Sequence, residues 1–384
     1  MNWHLLGCGI GLQLFFALFI FVVPAGVRVF QGVNDMAVTV LAAAAQGAQF
    51  VFGPLALPPG TQGSLGFILA FQAFPTILFF SALVAVLYYY NILPFVIRAF
   101  AKLFTRVMRI SGAESLCAAS NIFVGVESAF TVKPHLGDMT QSELCTILTA
   151  GMATVASNVL AFYVFTLYDI FPSIAGHLIS ASFLSAPAAL VMAKLFFPET
   201  GTPKTLGKNV NIHYKKDTNL FEAIINGAQA GLKVVFSIVA LLIAVLGLVA
   251  LVDLGLDWAS DIVGSWVHME MNWSLKGILG YVFYPFTLMI GVPVEDAGIV
   301  SKIIGERIIL TEVASYQDLA RVLADNSLIH GRSAVITAYA LCGFAHLASM
   351  AIFVGGVSAL APKRTADIAS VGGRALLAST LPVC

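Results

Sequence analysis

Residues 5–23, 234–252 and 333–360 run without a single acid or basic cation, the last carrying only His346 as a titratable interruption. A helix crosses the hydrocarbon of a bilayer with roughly 20 apolar residues, so each stretch is long enough to span. A soluble core rarely needs even one, and the chain is therefore read as a membrane protein. Composition agrees: of 384 residues, 59% are hydrophobic and 10% charged, against about 25% charged in an ordinary soluble domain. The formal net charge of zero gives no case for a polyanionic partner, so no nucleic-acid role is expected. The five cysteines, Cys8, Cys117, Cys145, Cys342 and Cys384, are scattered and mostly within apolar segments. Without CxxC or Cys/His spacing they read as unpaired packing residues. Residues 5–23 are long for a signal core and lack a clear small-residue cleavage site, which makes them the first spanning helix.

Other segments separate into kinds. Residues 65–90 (with Pro75 inside), 147–168, 174–197 and 220–252 read as spanning helices. Residues 37–52 are rich in small residues, and 98–110 place Arg98, Lys102, Arg106 and Arg109 three or four apart. Both are expected to lie along the interface, with the cations toward lipid phosphates. The polar stretch 198–219 is the one clear linker, and Lys204, Lys208, Lys215 and Lys216 place it on the cytoplasmic side. The expected organisation is a scaffold with interfacial helices over 1–110, then a first hairpin and broken helix over 111–197. The linker over 198–219 follows, then a scaffold helix with an interfacial segment over 220–270, and a second hairpin and broken helix over 271–384.

Two places hold carboxylates where hydrocarbon is expected: "GVESAF" at 125–130 and "GVPVEDA" at 291–297. Residues 115–134 are too short for two spans and too apolar for a surface loop. A re-entrant hairpin turning at 124–126 fits, and 276–297 repeats the pattern with Pro285 and Pro293 at its breaks. Irregular backbone at that depth is tolerated only where it is buried in protein or lines a watery cavity. A carboxylate at the bilayer centre costs about 2.5–3.5 kcal/mol on insertion scales, so Glu127, Glu295 and Asp296 call for a ligand, a cation or a proton relay. Structural readings stand beside these: a Glu127–Lys133 ion pair or a cap, helix-end solvation for Glu306 and Glu312, helix–helix hydrogen bonds for Ser157 and Asn158, packing for His346. Each half also carries a spanning helix with a polar interruption, "ATVASNVLAFY" and "CGFAHLASMAIF". Paired interruptions of this kind point to a transporter built from repeats. The expected fold is an all-α membrane protein with about seven to eight transmembrane helices, two re-entrant helical hairpins, interfacial helices and an internal repeat.

Taken together, "LPFVIRAFAKLFTRVMRISGAESLCAASNIFVGVESAF", "GFILAFQAFPTILFFSALVAVLYY", "MTQSEL", "IGVPVEDA" and "LCGFAHLAS" resemble the concentrative nucleoside transporter family over nearly the whole chain. The resemblance implies a homotrimer in the cytoplasmic (inner) membrane that moves nucleosides inward with sodium or protons. It implies a sodium site from Asn121 and the Val124 carbonyl on the first hairpin, with Thr154 and the Val155 carbonyl on the following helix. It places the nucleobase near Val126, Glu127, Ser128 and Val159, and ribose near Asp296, Phe344, His346 and Ser349. Gly125, Glu295, Glu312 and Tyr316 are implied in support. Three departures stand out. Gly125-Val126-Glu127-Ser128 replaces a Gly-Gln-(Thr/Ser)-Glu pattern and so loses an amide, His346 replaces an Asn, and "TEVASY" replaces "NEFVAY". On this resemblance the chain is also expected to have one helix fewer at its start than many bacterial relatives, and relatives are expected to run on past "STLPVC".

The resulting expectation is a sodium-coupled symporter of nucleosides embedded as a multi-pass protein. The alternatives are proton coupling, or a gated channel or receptor-like protein that uses the hairpin as a plug. No enzyme is expected, because no nucleophile motif or metal-ligand spacing accompanies Glu127, Asp296 and His346.

Overall fold

The computed structural model describes residues 3–58, 60–214, 216–267 and 273–382. The side chains of Val126 and Glu127 lie outside the described residues, as do Lys215 and Cys384. The architecture is helical throughout. Helix α1 (Trp3–Phe21) is followed by α2 (Pro24–Phe52), a short α3 (Leu69–Gln72), α4 (Phe74–Tyr89) and α5 (Ile92–Met108). Helix α6 (Gly112–Val124) runs into a tight 3₁₀ stretch (Gly125–Asp138), then α7 (Gln141–Ala153), α8 (Ser157–Leu167) and α9 (Ile174–Phe196). After the linker come α10 (Leu220–Val267), α11 (Leu275–Met289), α12 (Val294–Ile309) and α13 (Glu312–Ala324). The chain closes with α14 (Gly331–Leu341), α15 (Leu347–Leu360) and α16 (Thr365–Thr380).

Among the described residues, six segments are long and apolar enough to cross a membrane: Trp3–Phe21, Pro24–Ala56, Leu69–Tyr89, Gln141–Leu167, Ile174–Phe196 and Leu220–Val263. Two shorter apolar helices, Leu275–Met289 and Leu347–Leu360, accompany them. One expectation is corrected. Residues 37–52 are not a separate interfacial piece but the second half of α2, because nothing breaks the helix between Pro24 at its first turn and Gly53, which ends it at φ 55°. The amphipathic expectation for α5 holds in its core. Leu93, Ile97, Ala101, Phe104 and Met108 are buried, with Arg98, Lys102 and Arg106 on the exposed side. Arg109 leaves that face, since it ends the helix in the left-handed region at φ 54°.

Two hairpins stop short of a full crossing. At 1.5 Å per residue, α6 is about 20 Å long and α11 and α12 about 23 Å, against a hydrocarbon core of about 30 Å. The second hairpin turns at Ile290–Pro293, where Gly291 adopts φ +94°. The base of the first is fixed by two capping boxes. The Ser111 and Thr140 hydroxyls accept from the backbone of Glu114 and Glu143, whose carboxylates accept in return. Lys194 of α9 ties them together, lying 2.5 Å from Glu114 and donating to Ser142 at 2.9 Å.

The linker is a strap over this base rather than a free tether. Gly112 N–H donates to the Thr205 carbonyl at 2.9 Å, and His213 N–H to the Thr131 carbonyl at 2.9 Å. Lys204 pairs with Asp138 at 2.7 Å and holds that carboxyl below its ordinary value. Lys133 sits over the Phe130 ring, 5.4 Å from its centroid.

Candidate functional site

The helical segment 141–167 is interrupted at Thr154, where the backbone is extended (φ −125°, ψ 160°), and resumes after Ala156. This break faces the tip of the first hairpin. Gly125 there has φ +61°, and a methyl group on it would lie 2.8 Å from the Ala156 side chain. Glycine is required on both counts, conformation and space. The contact brings together residues distant in sequence. The Asn121 amide donates to Thr154 Oγ1 at 2.6 Å and to the Ala150 carbonyl, while Thr154 Oγ1 donates to the Asn121 carbonyl at 3.2 Å. Ser128 Oγ donates to Asn121 Oδ1 at 2.9 Å.

Asn121, Ser128 and Thr154 are all buried, so side-chain and carbonyl oxygens converge, and among the described residues none of the converging groups is a carboxylate. Among the described residues no group of three His, Cys, Asp or Glu could hold a metal ion. A neutral oxygen set of this kind suits a hard monovalent cation. Val124 ends α6 beside this set, and Val155 lies buried in the break itself.

A cavity of about 630 Å³ opens against the same elements, lined by Val124, Gly125, Thr154, Val159 and Phe344. That volume lies within the 300–1,000 Å³ usual for small-molecule sites. Its far wall is α10, which contributes Asn226, Gln229, Lys233 and Ser237. Asn158 also lines it, while its amide donates 2.9 Å to Ser81 of α4. The helix–helix bond expected of Asn158 is present.

Of the residues expected around ribose, Phe344 lines this cavity, whereas Asp296, His346 and Ser349 do not. Asp296, in the first turn of α12, is fully buried and accepts from Ile329 N–H at 2.8 Å, His330 N–H at 3.0 Å and Ser333 Oγ at 2.5 Å. It thereby neutralises the start of α14, where unpaired N–H groups favour an anion. Its neighbour Glu295 is mostly exposed, 3.6 Å from His330 Nε2.

His346 caps α15. Its Nδ1 accepts from Ser349 N–H at 3.2 Å, and its own N–H donates to Ser349 Oγ at 3.0 Å. The Phe344 ring meets it edge-on at 4.9 Å between centroids. His346 Nε2 lies 3.1 Å from Glu312 Oε2, but off the hydrogen-bonding line, so both buried atoms keep capacity for a further partner.

Glu312 does not solvate a helix end. It is buried, and Tyr163 donates to its Oε1 at 2.5 Å. Tyr316 stacks on Tyr163 with ring centroids 4.4 Å apart and donates to the Ala338 carbonyl at 2.8 Å. Glu306 pairs with Lys276 across the second hairpin at 2.5 Å. Sequence reasoning missed Tyr163, Lys194 and the polar face of α10. For α10 a signal existed, since its four polar residues from 223 to 252 fall three or four apart.

Three family models match the chain. They are described as the Na+ dependent nucleoside transporter N-terminus over residues 1–55, nucleoside recognition over 70–169, and the Na+ dependent nucleoside transporter C-terminus over 177–384. An uncharacterized transporter of Haemophilus influenzae is 38% identical over 97% of this chain and 87% of its own length. The nucleoside permease NupC of Helicobacter pylori is 35% identical over 94% and 84%. The chain spans about half the length of the mammalian relatives it matches, among them solute carrier family 28 member 3 of Rattus norvegicus (53%). Among solved structures, CNTnw in an inward-facing substrate-bound state superposes with a TM-score of 0.88 at 32% identity, over 100% of this chain and 90% of that one.

Proposed function

The chain belongs to the concentrative, Na+ dependent nucleoside transporter family, and from that premise we propose that it is a sodium-coupled symporter importing nucleosides across the cytoplasmic membrane as a homotrimer. The observation that carries this reading is the buried oxygen set of Asn121, Ser128 and Thr154, of which Thr154 lines the 630 Å³ cavity. Sodium is a co-transported substrate here, held by Asn121, Thr154 and the carbonyls of Val124 and Val155. The nucleobase lies against Val126, Glu127, Ser128 and Val159, and Phe344 stands on the ribose side.

Ribose hydroxyls are donors and acceptors that can displace a helix-end bond of equal kind. On this reading they meet Asp296, Ser349 and the free edge of His346, with Glu295, Glu312 and Tyr316 in support. A cation between Asn121 and Thr154 ties the hairpin tip to the α7–α8 break and steadies the wall that the nucleoside needs. Each ligand then tightens the other by the same factor, as linkage requires. Solved structures of CNTnw variants in outward-facing and intermediate states resemble the chain about as well, with TM-scores of 0.87 and 0.89, which supports alternating access.

The test is uptake of radiolabelled uridine and adenosine into proteoliposomes under an imposed sodium gradient or an imposed pH gradient. Accumulation driven by sodium, with Asn121→Ala raising the half-saturating sodium concentration at least tenfold, is expected. Accumulation driven by the pH gradient alone would replace sodium with protons. Uptake that only equilibrates would mark a channel.

A further inference from the structure

From 223 to 252, α10 carries four polar side chains, Asn226, Gln229, Lys233 and Ser237, and all four line the 630 Å³ cavity opposite the hairpin tip and Phe344. Their placement is imposed by packing. A Cβ on Gly227 would come within 2.7 Å of Ala85 and 2.8 Å of Ala82, and one on Gly231 within 2.9 Å of Leu78 and Ser81. The two glycines seat α10 against α4 backbone to backbone and so fix its rotation, setting the polar stripe along the cavity. Two of the four are already engaged: Asn226 donates to Asp217 at 2.7 Å, and Ser237 Oγ to the Lys233 carbonyl at 2.8 Å. Gln229 and Lys233 have no side-chain partner among the described residues. An ammonium inside a spanning helix is costly and lines a wet, functional cavity as a rule.

Resting on the reading of this cavity as the nucleoside site, we propose that Gln229 and Lys233 read the nucleobase edge and select bases that present carbonyl oxygens, such as uracil and hypoxanthine, over adenine. Lys233 supplies three donors and no acceptor, and Gln229 one carbonyl and one NH₂ group. Four residues apart on a helix, they present their ends side by side. A carbonyl accepts from the ammonium, whereas the exocyclic amino group of adenine sets donor against donor. The stripe serves the solute and not the ion, since a fixed ammonium repels sodium.

The experiment is the Michaelis constant for radiolabelled uridine, inosine and adenosine in sodium-loaded proteoliposomes, for the unsubstituted protein and for Lys233→Met, Lys233→Arg and Gln229→Leu. The expected result is a uridine-to-adenosine ratio of Michaelis constants that rises about tenfold in Lys233→Met, with inosine following uridine. Lys233→Arg keeps most of the preference, and Gln229→Leu shifts the ratio in the same direction. Should Lys233→Met not assemble, Gln229→Leu carries the test alone. Ratios that stay within twofold in Lys233→Met and Gln229→Leu overturn the assignment while leaving nucleoside transport intact. Absence of uptake of any nucleoside by the unsubstituted protein removes the parent reading instead, and this one with it.

Discussion

At the scale of a residue, His346 is positioned by two obligations at once. Its Nδ1 accepts from Ser349 N–H, which leaves the ring proton on Nε2, the atom 3.1 Å from Glu312 Oε2. One side chain thus closes the N-terminus of α15 and faces a buried carboxylate. Losing a cap costs about 1 kcal/mol, and a small side chain here also removes the polar edge that faces the buried Glu312. His346→Ala is therefore expected to lower the melting temperature in detergent by about 2 °C or more. His346→Asn restores a good capping group but not the reach to Glu312, and is expected to recover only part of the loss. Equal melting temperatures for the two variants would show that the cap contributes nothing.

At the scale of an element, the hairpin tips differ in what their glycines do, and this yields a paired prediction. Gly125 and Gly291 both adopt positive φ, 61° and 94°. A Cβ at Gly291 meets nothing within 4 Å, whereas one at Gly125 strikes Ala156 at 2.8 Å. Backbone strain of about 1–3 kcal/mol applies to both substitutions, but only Gly125→Ala also pushes the tip away from the break that carries Thr154. Sodium half-saturation is expected to rise at least tenfold in Gly125→Ala and much less in Gly291→Ala, read from sodium-dependent uridine uptake. A larger effect at Gly291 would separate the tip contact from ion binding. These tips were legible in the sequence because a Gly-Val pair followed by an acid is too costly to keep in a straight span facing lipid. The extent of α2 was not, since small residues at 37–52 weaken an apolar signal without breaking a helix. Nor was the burial of Glu312, which depends on Tyr163, 149 residues away in the chain. The α10 stripe escaped because it is sparse: four polar groups hardly lower the hydropathy of so long a helix, and only its contact with α4 shows where they face.

At the scale of the whole molecule, two hollows among the described residues adjoin along one route. A cavity of about 540 Å³ is lined by Phe130, Thr131, His213, Tyr214 and Asp217, and it shares Val124, Asn158, Asn226 and Ala230 with the cavity at the hairpin tip. The route therefore runs from the strap formed by the lysine-rich linker to the proposed binding site. With that linker on the cytoplasmic side, as expected from its lysines, the route is predicted to open inward. Accessibility of a cysteine at the shared neck tests it. Cys117, Cys145 and Cys342 are buried, so a background with Cys8→Ser and Cys384→Ser leaves little to react, and Ala230→Cys adds one reporter in the neck. A membrane-impermeant maleimide is expected to label this variant in inside-out vesicles and to spare it in right-side-out vesicles. Saturating sodium and uridine together should slow labelling, because the solute fills the space beside Ala230. Labelling from the opposite face alone would place the opening away from the linker and reverse the direction assigned to the route.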